Sequence, residues 1–142
     1  MKVLSNDLNL SFCIWDYEDI TSEDISKKLD IQPYKIYIKG QRINPKFERL
    51  AKRNGWVYGT PYENKEDFKT QLDKILDILE PKIPILKEYA KKYNCEFSCA
   101  IFLNNREEST PWIHFSKRYN AFIREVDAEF DFDIYYPPLD ED

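Results

Sequence analysis

A chain of 142 residues with 42% hydrophobic content is the size of one domain with a full core. Its 15% aromatic and 33% charged residues exclude disorder over the whole length. A net charge of -5 excludes a uniformly basic surface, and no apolar run is long enough to span a membrane.

The first residues carry no apolar signal-peptide core, and three cysteines leave one unpaired under any pairing. The chain is therefore expected to be cytoplasmic with reduced thiols. Residues 8–15, rich in β-branched and aromatic types, predict a first strand, and 16–20 turn it. Thr21 is placed to cap a helix, with Glu23 and Asp24 in its first turn and Ile25 and Leu29 on one face. That helix should end near Asp30. Pro33 opens an extended stretch over 34–38, which Gly40 closes. In the basic stretch 41–54, Phe47, Leu50 and Ala51 have helical spacing and suggest a short helix. Residues 55–59 form a short strand between glycines.

The strongest periodic signal is Phe68, Leu72, Ile75, Leu76 and Leu79, one buried face of a helix. Asn64 is in position to cap it, with Asp67 three residues on. Pro81 and Pro84 interrupt the pattern, which Ile83, Leu86, Tyr89, Ala90 and Tyr93 resume; two helices meeting at a kink near Glu80-Pro81 are expected. Strands follow at 96–103 and 112–115, separated by a polar loop. Ser116 caps a further helix with Tyr119, Phe122, Ile123 and Val126 inward. Phe130, Phe132, Ile134 and Tyr136 alternate with Asp131, Asp133 and Tyr135, as a strand with one wet face does. Pro137 and Pro138 stop it, and an acidic tail occupies 137–142. The order predicts a single α+β domain over residues 1–142, with a mostly antiparallel or mixed β-sheet and about three main helices packed on one face.

Residues 34–40 leading to Gly55-Trp56, then Leu76-Asp77-Ile78-Leu79-Glu80-Pro81-Lys82, then Phe130-Asp131-Phe132-Asp133-Ile134-Tyr135 occur in one order. Taken together they resemble the bacterial domain-of-unknown-function family 4279, over residues 10–136. The resemblance implies a compact α+β domain of bacteria and their phages, and implies no activity.

The single histidine, His114, lies between Ile113 and Phe115 and becomes a candidate base only if Asp131 or Asp133 reaches it. Cys95 and Cys99 would share a strand face about 13 Å apart, too far to chelate one ion. Cys13 could neighbour one of them, but two thiols do not make a zinc site; no metal and no cofactor is expected. Asp131 and Asp133, about 6.6 Å apart on one face, suit acid–base work or a hard cation, and equally suit a solvated strand face. Glycines occur only at 40, 55 and 59, so a phosphate-cradling loop is absent.

Charge is unevenly distributed. From Pro33 to Gly55 seven basic residues face only Glu48, a net of +6, whereas from Arg124 onward eight acids face one arginine, a net of -7. The simplest expectation is a basic loop lying over an acidic edge of the same domain. The candidate binding residues are Lys39, Arg42, Lys46, Arg49 and Arg53 with the nearby rings Trp56 and Tyr58. A charged domain rich in Tyr and Trp with no catalytic signature reads best as a non-catalytic protein-binding module of inhibitor or immunity type. The alternatives are a small enzyme using His114 with acidic residues, or anion or nucleic-acid binding through the basic loop 35–53. The overall acidic balance counts against nucleic acid.

Overall fold

The computed structural model of the chain describes residues 6–59, 66–105, 107 and 110–136. Five strands form one mixed sheet: β1 (Asp7–Trp15), β2 (Lys35–Tyr37), β3 (Gly55–Gly59), β4 (Asn94–Phe102) and β5 (Glu129–Tyr135), in the order β2-β3-β1-β4-β5. The first three neighbouring pairs are antiparallel and β4–β5 is parallel. A parallel pair needs a crossover, and helix α4 (Lys117–Glu125) lies in it. Helices α1 (Ser22–Leu29), α2 (Phe68–Leu79) and α3 (Ile83–Lys92) complete the α+β fold. A 3-10 turn at Glu80–Lys82 with Pro81 in its first turn joins α2 to α3, so they form one broken helical body. Three helical bodies thus cover one face.

That arrangement follows from pleat. Leu8, Leu10, Phe12 and Ile14 of β1, with Cys95, Phe97, Cys99 and Ile101 of β4, point to one side and are buried. Ile25, Leu29, Leu72, Leu76, Leu79, Leu86 and Phe122 meet them there from the helices. Phe97 stacks on Phe130 at 6.2 Å and meets Phe12 edge-on at 5.1 Å. Local signals set the helix starts: Thr21 and Asp24 make a reciprocal capping box, and Ser116 accepts from Tyr119 N–H. Arg118, at the start of α4, clamps α2 by donating to both Glu80 carboxylate oxygens (3.0 and 2.6 Å) and to Asp77 (2.6 Å). Those contacts hold the Glu80 carboxyl below its ordinary value.

Four expectations are corrected. The cap of α2 is Asp67, whose Oδ1 accepts from Thr70 N–H at 2.8 Å; Asn64 lies outside the described residues. Residues 41–54 form no helix but a loop closed by the bridge between Arg42 and Leu50. Pro45 biases Asn44 away from helical backbone, and Asn44 Oδ1 accepts from Lys46 N–H in a local turn. Residues 112–115 form no strand. Both sides of β4 are already taken by β1 and β5, and Phe115 instead packs on Phe130 at 4.9 Å and Tyr119 at 5.0 Å. Finally, the basic segment does not lie over the acidic strand: β2 and β5 are opposite edges of the sheet, about 19 Å apart at the usual strand spacing. Within the basic segment, Lys39 pairs with Glu18 at 3.2 Å and Arg53 with Asp16 at 3.1 Å.

Candidate functional site

The alternate residues of the same strands build the side of the sheet that carries no helix. Pairing aligns Ser11 with Gly59 and Ser98, and Ser98 with Asp131; the next row holds Asn9, Ala100 and Asp133. Cys13, Val57 and Lys35 share a third row with Glu96 and Glu129. Side chains in the middle of this face are short, so the twisted sheet is left hollow there. The result is a cleft of about 190 Å³ whose floor includes Ser11, Cys13, Val57, Ser98 and Ala100. Trp15, Tyr34 and Tyr37 wall one end, and Tyr135, stacked on Phe102 at 4.9 Å, walls the other.

The Trp15 wall is fixed in place. Its ring lies where a Cβ on Gly55 would fall, 2.3 Å from such an atom, so glycine is what lets the indole lie against the sheet. Its Nε1 donates to Glu96 Oε1 at 2.9 Å, Tyr37 contacts it at 5.4 Å, and the Arg53 guanidinium sits 4.5 Å from the ring centroid. Arg53 in turn holds Asp16, which also accepts from Asn94 Nδ2 at 2.6 Å. Burial, with Asp131 and Glu129 nearby, raises the Glu96 carboxyl above its ordinary value, against the lowering effect of Trp15 and Arg53. Lysine and arginine gather at the β2 end of the face and carboxylates at the β4–β5 end, so the cleft is bipolar.

Of the binding residues proposed from the sequence, Arg53 alone contributes to this face, through Trp15; Cys13, Asp131 and Asp133, weighed for other chemistry, also lie on it. Lys39, Arg42, Lys46 and Arg49 are exposed on the loop beyond β2. Trp56 is fully buried on the helix side, donating from Nε1 to Ser26 Oγ at 3.0 Å, and Tyr58 stacks beside it at 6.5 Å. Rings so placed contribute to packing. His114 is exposed and stacks flat on Trp112 at 5.1 Å, next to Phe115, which packs on the helix side. Asp131 and Asp133 point to the other side, so the histidine and the aspartates do not converge. Cys95 and Cys99 face the helices while Cys13 faces the cleft, which separates the thiols by the thickness of the sheet.

Burial pushes the Cys95 and Cys99 thiols up to about 12 and raises Cys13 further, with Glu96 adding to it. A protonated thiol is a poor nucleophile. Among the described residues no cluster of three or more His, Cys, Asp or Glu is arranged to hold a metal ion. The face offers shape, flat rings and fixed charge. Trp15, Ser11 and Ser98 were not singled out as site residues from the sequence. Their signal was present as short residues alternating with large apolar ones in residues 8–15 and 95–102.

A family model described as a domain of unknown function (DUF4279) matches residues 6–137, and the chain belongs to that family. No curated protein and no solved structure matches it. No described helix is long and apolar enough to cross a membrane.

Proposed function

We propose that this member of the family is a non-catalytic protein-binding domain, of inhibitor or immunity type, that receives its partner on the helix-free face of the sheet. The observation that carries the reading is the shape of that face: short side chains between Trp15, Tyr37 and Tyr135, on a side the chain's own helices leave bare. Partly exposed tyrosine and tryptophan around a recess supply large contact area at small entropic cost, as binding hot spots do. Opposite charges at the two ends would orient the partner and speed encounter more than they would add affinity.

The test places a photo-crosslinking amino acid at Tyr37 or at Ser98 in living cells, with a control at Lys87 on the helical side. One protein species should be captured from both sheet positions and not from the control. Filling the recess with Ser98→Arg and Ala100→Arg, in a chain whose circular dichroism is unchanged, should abolish capture. Capture that is equal from the helical side, or that survives the filled recess, would overturn the reading.

One observation favours a second reading through the loop: Arg42, Lys46 and Arg49 are exposed and, among the described residues, hold no ion pair. Anion or single-stranded nucleic-acid binding there would fall steeply with salt. Fluorescence anisotropy with a labelled oligonucleotide distinguishes it, since Lys46→Glu with Arg49→Glu would remove that binding and the filled recess would not.

A further inference from the structure

The two edges of the sheet are complementary to each other, and we infer that β2 of one copy of this chain pairs with β5 of another. The inference rests on the edges and is independent of what the helix-free face binds. Direction comes first. β5 runs with β4, β4 against β1, β1 against β3 and β3 against β2, so β2 and β5 run in opposite senses. A second copy displaced sideways in the plane of the sheet, keeping its orientation, therefore brings its β2 antiparallel beside β5. Both helical layers then stay on the same side, and the antiparallel ladder can form.

Chemistry agrees with direction. On β5 the helix-side residues Phe132 and Ile134 are 43% and 49% exposed; on the β2 edge Ile36 and Ile38 are 44% and 42% exposed. The Tyr135 carbonyl accepts from Leu103 N–H on the β4 side, so the alternate residues Phe132 and Ile134 turn their backbone groups outward. With Phe132 set opposite Ile36, the antiparallel count places Asp133 opposite Lys35 and Asp131 opposite Tyr37 on the helix-free side. Among the described residues, Lys35, Asp131, Asp133 and Glu129 hold no ion pair within their own chain. Pairing like edges would set Asp against Asp or Lys against Lys, which charges on edge strands prevent. Only the unlike pair is favourable. Such a head-to-tail contact does not close on itself at two copies, and it grows into a ring or a filament.

Sedimentation velocity over a range of chain concentrations, at low and high salt, tests this. The wild-type chain should show a mass that rises beyond a dimer and falls as salt is added. Asp133→Lys or Lys35→Glu alone should weaken association by about tenfold. Both reversals in one chain should restore it, which a merely disrupted edge could not do. Circular dichroism checks that each variant keeps its fold. A chain that stays monomeric at millimolar concentration in low salt would overturn the inference. So would a closed dimer indifferent to both reversals. Failure of a synthetic peptide of residues 34–39 to compete with self-association would also overturn it, because the β5 edge would then serve another protein's strand.

Discussion

The side-chain amide of Gln71 is fully buried between α2 and β1, where Oε1 accepts from Leu10 N–H and Nε2 donates to Leu8 C=O, each at 2.9 Å. Among the described residues β3 pairs with β1 from Ser11 to Trp15, and beyond Ser11 the Gln71 amide serves the Leu10 N–H and the Leu8 carbonyl. Gln71→Leu strips both backbone groups of these bonds at once and should lose about 1–3 kcal/mol in chemical denaturation. A loss below about half a kcal/mol would mean that water replaces the amide. Glu96 makes the opposite case. Its carboxyl is raised, so the folded chain holds a proton that the unfolded chain releases, and the charged form costs stability above that raised value. Glu96→Gln should therefore stabilise the chain at pH 7, and the gain should vanish as pH falls through the ordinary glutamate value. Glu80 behaves inversely: held low by Arg118, it contributes stability above its ordinary value that is lost as pH falls through its lowered one. A gain for Glu96→Gln that is the same at pH 4 and pH 7 would show that desolvation is not its source. Neither role was legible beforehand, because the β1 backbone groups that Gln71 serves and the Trp15 indole that donates to Glu96 are more than sixty residues away in sequence.

Helices were legible because the signals that make them are local. The spacing of Phe68, Leu72, Ile75, Leu76 and Leu79 is the buried face of α2, and Thr21 and Ser116 are the caps they were expected to be. Leu76 is fully buried, so Leu76→Ala should cost about 2–5 kcal/mol, whereas Leu76→Met should cost under about 1.5. Urea denaturation of the pair separates lost volume from lost shape; equal effects would place the helix face wrongly. Strands were legible as segments but not as neighbours. Residues 112–115 have β-forming composition and yet form no strand among the described residues, because Phe115 is drawn onto Tyr119 and Phe130 on the helix side instead. The loop over 41–54 shows the same limit in reverse: Phe47 and Leu50 sit at helical spacing but are exposed, and Pro45 with Asn44 decides the backbone. The recess on the sheet was hidden for this reason as well. It needs Ser11, Gly59 and Ser98 in one row, and register is a property of three strands together.

At the scale of the molecule, the uneven charge read from the sequence is real, but its geometry is the reverse of the expected one. Among the described residues, the basic loop follows one edge strand and the acidic strand β5 is the other edge, so they polarise the sheet instead of closing on each other. It follows that reversing Lys46 and Arg49 to Glu should change folding stability by less than about 0.5 kcal/mol, at low and high salt alike. Thermal melts check this, and a salt-dependent loss well above that size would show that acids of the same chain do reach the loop. The order of the strands carries one more consequence, for how the chain comes to be folded at all. β1 is the middle of the sheet and is synthesised first, yet its longest partner, β4, ends at Phe102, and Asp7 is paired across 95 residues of chain. Contacts so distant in sequence make folding slow, on the order of milliseconds to seconds, because loop closure comes before the contacts that stabilise it. A nascent chain that has not yet exposed β4 outside the ribosome holds Leu10, Phe12 and Ile14 without the strand that flanks them in the sheet. By the same topology, a protease that removes β4 leaves no folded remainder, so degradation of this protein should be all or none.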